Sequence, residues 1–185
     1  MTLDWTTLTD GELVVLSVAG RDGAFAELMA RHRQAVFRLI RASVRDPEEA
    51  LDLTQETFIS AHLALARFDP ERSMRAWLFA IAMNKCRDWG RKRAVRRFLR
   101  LGGDLGAEAE QVADDVASID DMASDRQELE RVSRDIAALP TKLRETLILR
   151  TIEGLSQTET AAILGISEKA VETRLSRARS KLSSN

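Results

Sequence analysis

The sequence predicts an all-α protein of two small helical domains joined by a flexible acidic linker, and three observations carry that expectation. Apolar residues recur at i, i+3, i+4 and i+7 along most of the 185-residue chain. Strand and turn formers are scarce: aromatics make up 5% with no Tyr, beside nine Gly and three Pro. That argues against a sandwich or barrel. The periodicity lapses after Leu101, where Gly102, Gly103 and Gly106 open a stretch rich in acids and poor in large apolar side chains. The boundaries expected are 1–99 for the first domain, 100–127 for the linker and 128–185 for the second domain.

Each element has its own signal. A short helix is expected over Asp10 to Val18, packed on the bundle that follows. Asp22 reads as the N-cap of a helix through about Val44, with Phe25, Leu28, Met29, His32, Val36, Leu39 and Ile40 on its inner stripe. Asp46-Pro47-Glu48-Glu49 is a start signal, with a capping Asp, Pro at the first helical position and Glu to close a capping box. That helix runs to about Arg67, with Ala50, Leu53, Phe58, Leu63 and Leu65 inward. Pro70 biases Asp69 away from helical dihedrals, so a loop separates it from a long helix capped by Ser73. In the linker, transient helix is expected near Val112 to Ile119. Helical spacing returns at Leu129, Val132, Ile136 and Leu139, and Pro140 ends that helix. Thr141 caps the next, which runs to Glu153 with Leu143, Leu147, Ile148 and Ile152 inward, and Gly154 ends it.

The final thirty residues form a helix-turn-helix pattern. Ser156 and Glu159 make a capping box, Gly165 allows a tight turn, and Ser167 caps a helix from Glu168 to about Leu182. Ile166, Val171, Leu175, Ala178 and Leu182 form its buried stripe. Lys169, Glu172, Thr173, Arg174, Ser176, Arg177 and Lys181 lie opposite, where they can reach base edges and phosphates in a major groove. A solvated amphipathic helix has the same pattern.

Charge distribution points the same way. The net charge is −1, yet Asn84 to Arg100 holds eight basic residues and one acid, Leu101 to Glu130 ten acids and one base, and Glu168 to the end five bases and two acids. So dense a positive block implies a polyanion partner. Asn84, Arg87, Asp88 and Arg91 share one helical face. Trp77 and Trp89 can stack on bases, though Trp77 within Trp77-Leu78-Phe79-Ala80-Ile81 fits a core position better. The acidic linker can shield the basic helices of the free protein.

Other classes fare poorly. Hydrophobic residues at 44% and charged residues at 31% exclude chain-wide disorder. The longest apolar stretches, 13–20 and 76–83, fall short of the roughly 20 residues of a membrane span. The start shows no basic n-region, so no secretory signal is expected. His32 and His62 fall on different helices, and with Cys86 they make no convincing metal set. The lone Cys86 fits a reducing cytoplasm; Lys85 and Arg87 beside it favour thiolate, but a small packed or surface cysteine is the simpler reading. No Gly-rich phosphate loop or nucleophile–base pair is visible, so neither an enzyme nor a cofactor is expected.

Four blocks, in order, resemble the extracytoplasmic function sigma factors of bacterial RNA polymerase. They are Asp52-Leu-Thr-Gln-Glu-Thr-Phe58; Phe68-Asp-Pro with Arg75-Ala-Trp-Leu-Phe-Ala-Ile-Ala-Met-Asn84; Leu139-Pro-Thr-Lys-Leu-Arg-Glu-Thr-Leu-Ile-Leu-Arg150; and Gly154-Leu-Ser-Gln-Thr-Glu-Thr-Ala with Ala170-Val-Glu-Thr-Arg-Leu-Ser-Arg-Ala-Arg179. The resemblance implies a sigma-2-like bundle and a sigma-4-like helix-turn-helix. It implies a cytoplasmic transcription initiation factor, nucleoid-associated within holoenzyme. The partners implied are promoter DNA, the clamp coiled coil of the largest polymerase subunit, the flap, and an anti-sigma factor. Asp52, Gln55 and Glu56 would dock on the clamp. Phe68 and Asn84 would hold a base flipped from the −10 element, with Lys85, Arg87 and Arg91 on the adjacent backbone. Lys169, Glu172, Thr173, Arg174, Ser176 and Arg177 would face the −35 element, Arg174 and Arg177 foremost. Many relatives carry a base where this chain has Glu172. Without the resemblance, a stand-alone helix-turn-helix regulator and a purely protein-binding helical protein both stay open.

Overall fold

The computed structural model describes residues 4–44, 46–100 and 124–184. Expectations for 101–123, including the acidic linker and its transient helix, lie outside the described residues. Eight α-helices and no strand occur among the described residues: α1 (Asp10–Val18), α2 (Asp22–Val44), α3 (Pro47–Ala64), α4 (Met74–Arg100), α5 (Ser124–Ala138), α6 (Thr141–Leu147), α7 (Gln157–Leu164) and α8 (Glu168–Ser183). Contacts divide the chain into two units, 1–92 and 93–185, so α4 crosses the division. α5 begins inside the range read as linker.

In the first unit α1 and α3 both pack on α2. α1 starts at a complete capping box: Thr9 Oγ1 accepts from the Glu12 amide, and the Glu12 carboxylate accepts from the Thr9 amide at 2.7 Å. The Thr9 amide, and after it the Thr9 hydroxyl, donate to the Glu12 carboxylate and hold its pKa below the ordinary value. Asp46 caps α3 by accepting from the Glu48 and Glu49 amides, with Pro47 at the first helical position. Ser73 caps α4 by accepting from the Ala76 amide at 3.2 Å. The core gathers Leu13, Leu28, Val36, Leu39, Ile40, Phe58, Leu78, Phe79 and Met83, all buried.

The N-terminal segment is fastened by one side chain. Arg31 donates to the carbonyls of Trp5, Thr6 and Leu8 and to the carboxylates of Glu27 and Asp10. Asp10 also meets His32 Nε2 at 2.7 Å. Glu27, with help from Asp10, holds the Arg31 guanidinium above its already high ordinary pKa, so the clasp stays charged. The Trp5 indole lies on Gly23, where a Cβ would come within 2.8 Å of Nε1. Only glycine leaves that ring its place. Arg31→Ala is expected to lose about 2 kcal/mol of stability, because charged hydrogen bonds are removed from three carbonyls and two carboxylates together. Chemical denaturation checks this, and a midpoint equal to wild type would show the clasp to be idle.

In the second unit α6 and α7 pack on α8. Leu139, Leu147 and Ala178 are buried together, with Ile136, Leu143, Leu175 and Leu182 packed against them. α6 passes into a single π turn over Ile148–Ile152, where the Glu153 amide donates to the Ile148 carbonyl. Gly154 follows with φ +66°.

Several expectations need correction. Asp22 is the first helical residue, one place inside its expected cap. Pro140, not Thr141, precedes α6, with no side-chain cap bond. Met29 and Leu63 are exposed, as is Val132. Ile152 is exposed while Leu149 is fully buried. The π turn explains the exposure of Ile152, because one extra residue in the turn rotates the side chains that follow off a 3.6-residue stripe, and Glu153 is buried instead.

Candidate functional site

Three surfaces carry the residues singled out above. On α3, Leu53, Thr57 and Phe58 turn into the core, while Asp52, Gln55 and Glu56 are exposed. The spacing alone decides this: positions 53, 57 and 58 share one face and 52, 55 and 56 another. Leu51, Ile59 and Leu63 are also exposed, in a row that includes Gln55 at every fourth residue. Sequence reasoning missed Leu51 and Ile59 and turned Leu63 inward, although the period-four spacing was visible.

On α4, Asn84 and Arg91 are exposed and Arg87 half-buried on the same side. Arg87 Nη1 donates to Asn84 Oδ1 at 3.3 Å, and Arg91 pairs with Asp88. Lys85 points toward α3 and meets the Glu56 carboxylate at 3.3 Å. The two side chains neutralise each other across neighbouring surfaces, an exposed pair worth at most about 1 kcal/mol. Phe68, which the resemblance places beside the flipped base, is covered in the free protein. It is only 7% exposed, with its ring centroid 4.9 Å from that of half-buried Trp77. Residue spacing carries no sign of this pairing, since it is the loop before α4 that brings the rings together. Cys86 is buried, as befits a packed cysteine.

The third surface is built by α7 and α8. Ser156 and Glu159 exchange capping bonds of 2.8 and 3.1 Å. Gly165 takes the left-handed conformation, φ +66° and ψ 40°, and the Ile166 amide donates to the Ala161 carbonyl. A residue with a Cβ would be strained there. Gln157 Nε2 donates to the Glu168 carbonyl at 3.0 Å and Thr158 Oγ1 to the Glu168 carboxylate at 2.9 Å, locking the start of α8 onto α7. Val171 and Ala178 are fully buried. Lys169, Glu172, Thr173, Ser176 and Arg177 face solvent, and Arg174 is half-buried. Arg174 and Arg177 border a hollow that also takes in Lys142 and Lys181. Among the described residues no helix is long and apolar enough to cross a membrane.

A helix-turn-helix so held, with a polar outer face on its second helix, has the architecture of the DNA-binding class. The comparisons with known proteins narrow that class. Sigma-70 region 2 matches residues 28–96, and Sigma-70, region 4 matches residues 129–182. The chain is 43% identical over 176 residues to the RNA polymerase sigma factor CnrH of Cupriavidus metallidurans, covering 94% of this chain and 92% of that one. It is 30% identical to the ECF RNA polymerase sigma factor SigM of Mycobacterium tuberculosis, covering 94% and 83%. A solved structure of CnrH in complex with the cytosolic domain of CnrY superposes with a TM-score of 0.69, at 37% identity and 95% coverage of each chain. RpoE of Bartonella quintana, solved with the anti-sigma factor NepR, gives 0.66 at 25% identity, covering 86% of this chain and 94% of that one.

The chain belongs to the extracytoplasmic function sigma factors. It is a transcription initiation factor that acts with RNA polymerase at specific promoters. The family is not a class of enzymes. Matches over both units favour this reading over a stand-alone helix-turn-helix regulator.

Proposed function

We propose that the first unit docks on core polymerase and holds the melted −10 element, while α7 and α8 read the −35 element. The observation that carries this is the exposure of Asp52, Gln55 and Glu56 beside buried Leu53, Thr57 and Phe58. Polar side chains set on a rigid helix, and supported from beneath, suit a docking face. The clamp coiled coil of the largest subunit is its partner in this reading, with the flap meeting the second unit. Exposed Leu51, Ile59 and Leu63 adjoin the same face and supply apolar area.

On α4, Asn84 reads the polar edge of an extruded −10 base, and Lys85, Arg87 and Arg91 hold the backbone beside it. Phe68 walls this site against Trp77 instead of lying open, so the base enters against the ring pair. On α8, Lys169, Glu172, Thr173, Ser176, Arg174 and Arg177 meet the −35 duplex, where Glu172 can accept from a cytosine N4 amine. The working domains are 1–99 and 128–185 with an acidic connection between them. An anti-sigma factor is a further partner, supported by the two relatives solved with bound protein partners. The place of work is the cytoplasm, at the nucleoid once polymerase is bound.

Replacing Gln55 and Glu56 together by Ala is expected to weaken core binding at least tenfold, because both sit on the docking face, and to leave helical content and the thermal midpoint unchanged. Affinity for purified core polymerase and a thermal melt test it together. A large fall in the midpoint would make the two residues structural.

A further inference from the structure

The hollow between α6 and α8 joins side chains far apart in sequence. Lys142, Arg174, Arg177 and Lys181 rim it over an apolar floor of Pro140 and Leu143. None of the side chains lining it is acidic. Four positive charges around one concavity repel each other unless an anion enters, and the apolar floor strengthens any charge pair formed above it.

The helical register decides what that anion is. Arg174 and Lys181 are seven residues apart and share the flank of α8 nearest α6, with Arg177 beside them. The outermost face belongs to Lys169, Glu172, Thr173 and Ser176, all exposed, whereas Arg174 is half-buried. A side chain reading a guanine edge projects from the outermost face of a helix lying in the major groove. Side chains on its flank meet the phosphates bordering the groove. Three of the four cations lie on α8 itself, which favours the duplex over an acidic protein segment as occupant.

We infer that this hollow is a phosphate-binding site for the DNA backbone bordering the −35 element, with Lys142 and Lys181 completing a clamp in which Arg174 and Arg177 anchor the duplex instead of reading bases. The inference rests on the reading of α8 as the −35 helix. Phosphates neutralised here release counterions, so each cation adds to affinity without adding to sequence preference.

The test uses holoenzyme assembled from the full chain and core polymerase. Fluorescence anisotropy measures binding to promoter duplexes differing only in the −35 element, across a salt series. Lys142→Ala, Lys181→Ala and Arg174→Ala are each expected to weaken binding equally for all −35 sequences and to make the log affinity–log salt slope shallower by about one unit. Glu172→Ala and Ser176→Ala are expected to change −35 preference and leave the slope alone. Wild-type affinity and slope in both Lys142→Ala and Lys181→Ala would overturn the site, whether the hollow is then empty or takes an acidic protein. Arg174→Ala relaxing preference at one base pair would overturn its role as an anchor. Wild-type holoenzyme indifferent to the −35 sequence would instead overturn the reading of α8 itself.

Discussion

Phe79→Ala is expected to lose about 3–5 kcal/mol of the first unit's stability. Phe79 is fully buried, the largest side chain so placed among the described residues, and the Arg75 guanidinium lies 5.0 Å from its ring centroid. Truncation removes the buried ring and with it the cation–π contact to Arg75, and helices joined by short loops collapse only partly into the space left. For a unit of this size each kcal/mol lowers the midpoint by about 4–8 °C. The loss is therefore a large share of the roughly 5–15 kcal/mol by which a domain is stable. The readout is selective, because all three tryptophans, Trp5, Trp77 and Trp89, fall within residues 1–92. Tryptophan fluorescence should show an early transition, while far-ultraviolet circular dichroism should retain a later one from the second unit. Phe79→Leu should cost much less, since it refills most of the volume. An unchanged fluorescence midpoint in Phe79→Ala would show that the core lies elsewhere.

Asn84→Ala is expected to reduce open complexes roughly 5- to 150-fold, the equivalent of about 1–3 kcal/mol for an unmade hydrogen bond in a closed site. Closed-complex binding should stay near wild type. A base becomes available to the amide only after the strands separate, and its extrusion must be repaid by contacts of this kind. In the free protein Asn84 Oδ1 accepts from Arg87. The amide is therefore already oriented, and Arg87 must move to the backbone as the base arrives. Permanganate reactivity follows opening on the duplex, and affinity for a pre-melted template isolates base reading. The variant should bind the pre-melted template more weakly than wild type does. Normal binding there, with only the duplex complex weakened, would remove Asn84 from the single strand.

Much of the fold was legible because periodicity reports local helix and little else is needed for short helices capped by Thr9, Asp46, Ser73, Ser156 and Ser167. The failures have particular causes. Leu63 and Val132 are apolar residues left outside by the turn of their helices, and composition cannot distinguish them from core positions. The π turn at Ile148–Ile152 shifts the inward face by one residue, so that Ile152 is exposed and Glu153 is buried in its place. Phe68 carries a role implied by the resemblance, and only the packing with Trp77 shows that its ring is covered. Asp52, Gln55 and Glu56 were singled out by the resemblance, whereas the outward face of α8 from Lys169 to Arg177 followed from spacing. The meeting of Lys142 with Arg174 and Lys181 did not, because it depends on how α6 lies across α8.

Run-off transcription from genomic fragments with purified core polymerase is the decisive measurement for a sigma factor. Discrete promoter-specific transcripts are expected when the protein is added, none from core polymerase alone, and tight promoter binding only by the two together. Tight binding to a duplex by the protein alone, with no stimulation of core polymerase, would contradict that role and mark a stand-alone DNA-binding regulator.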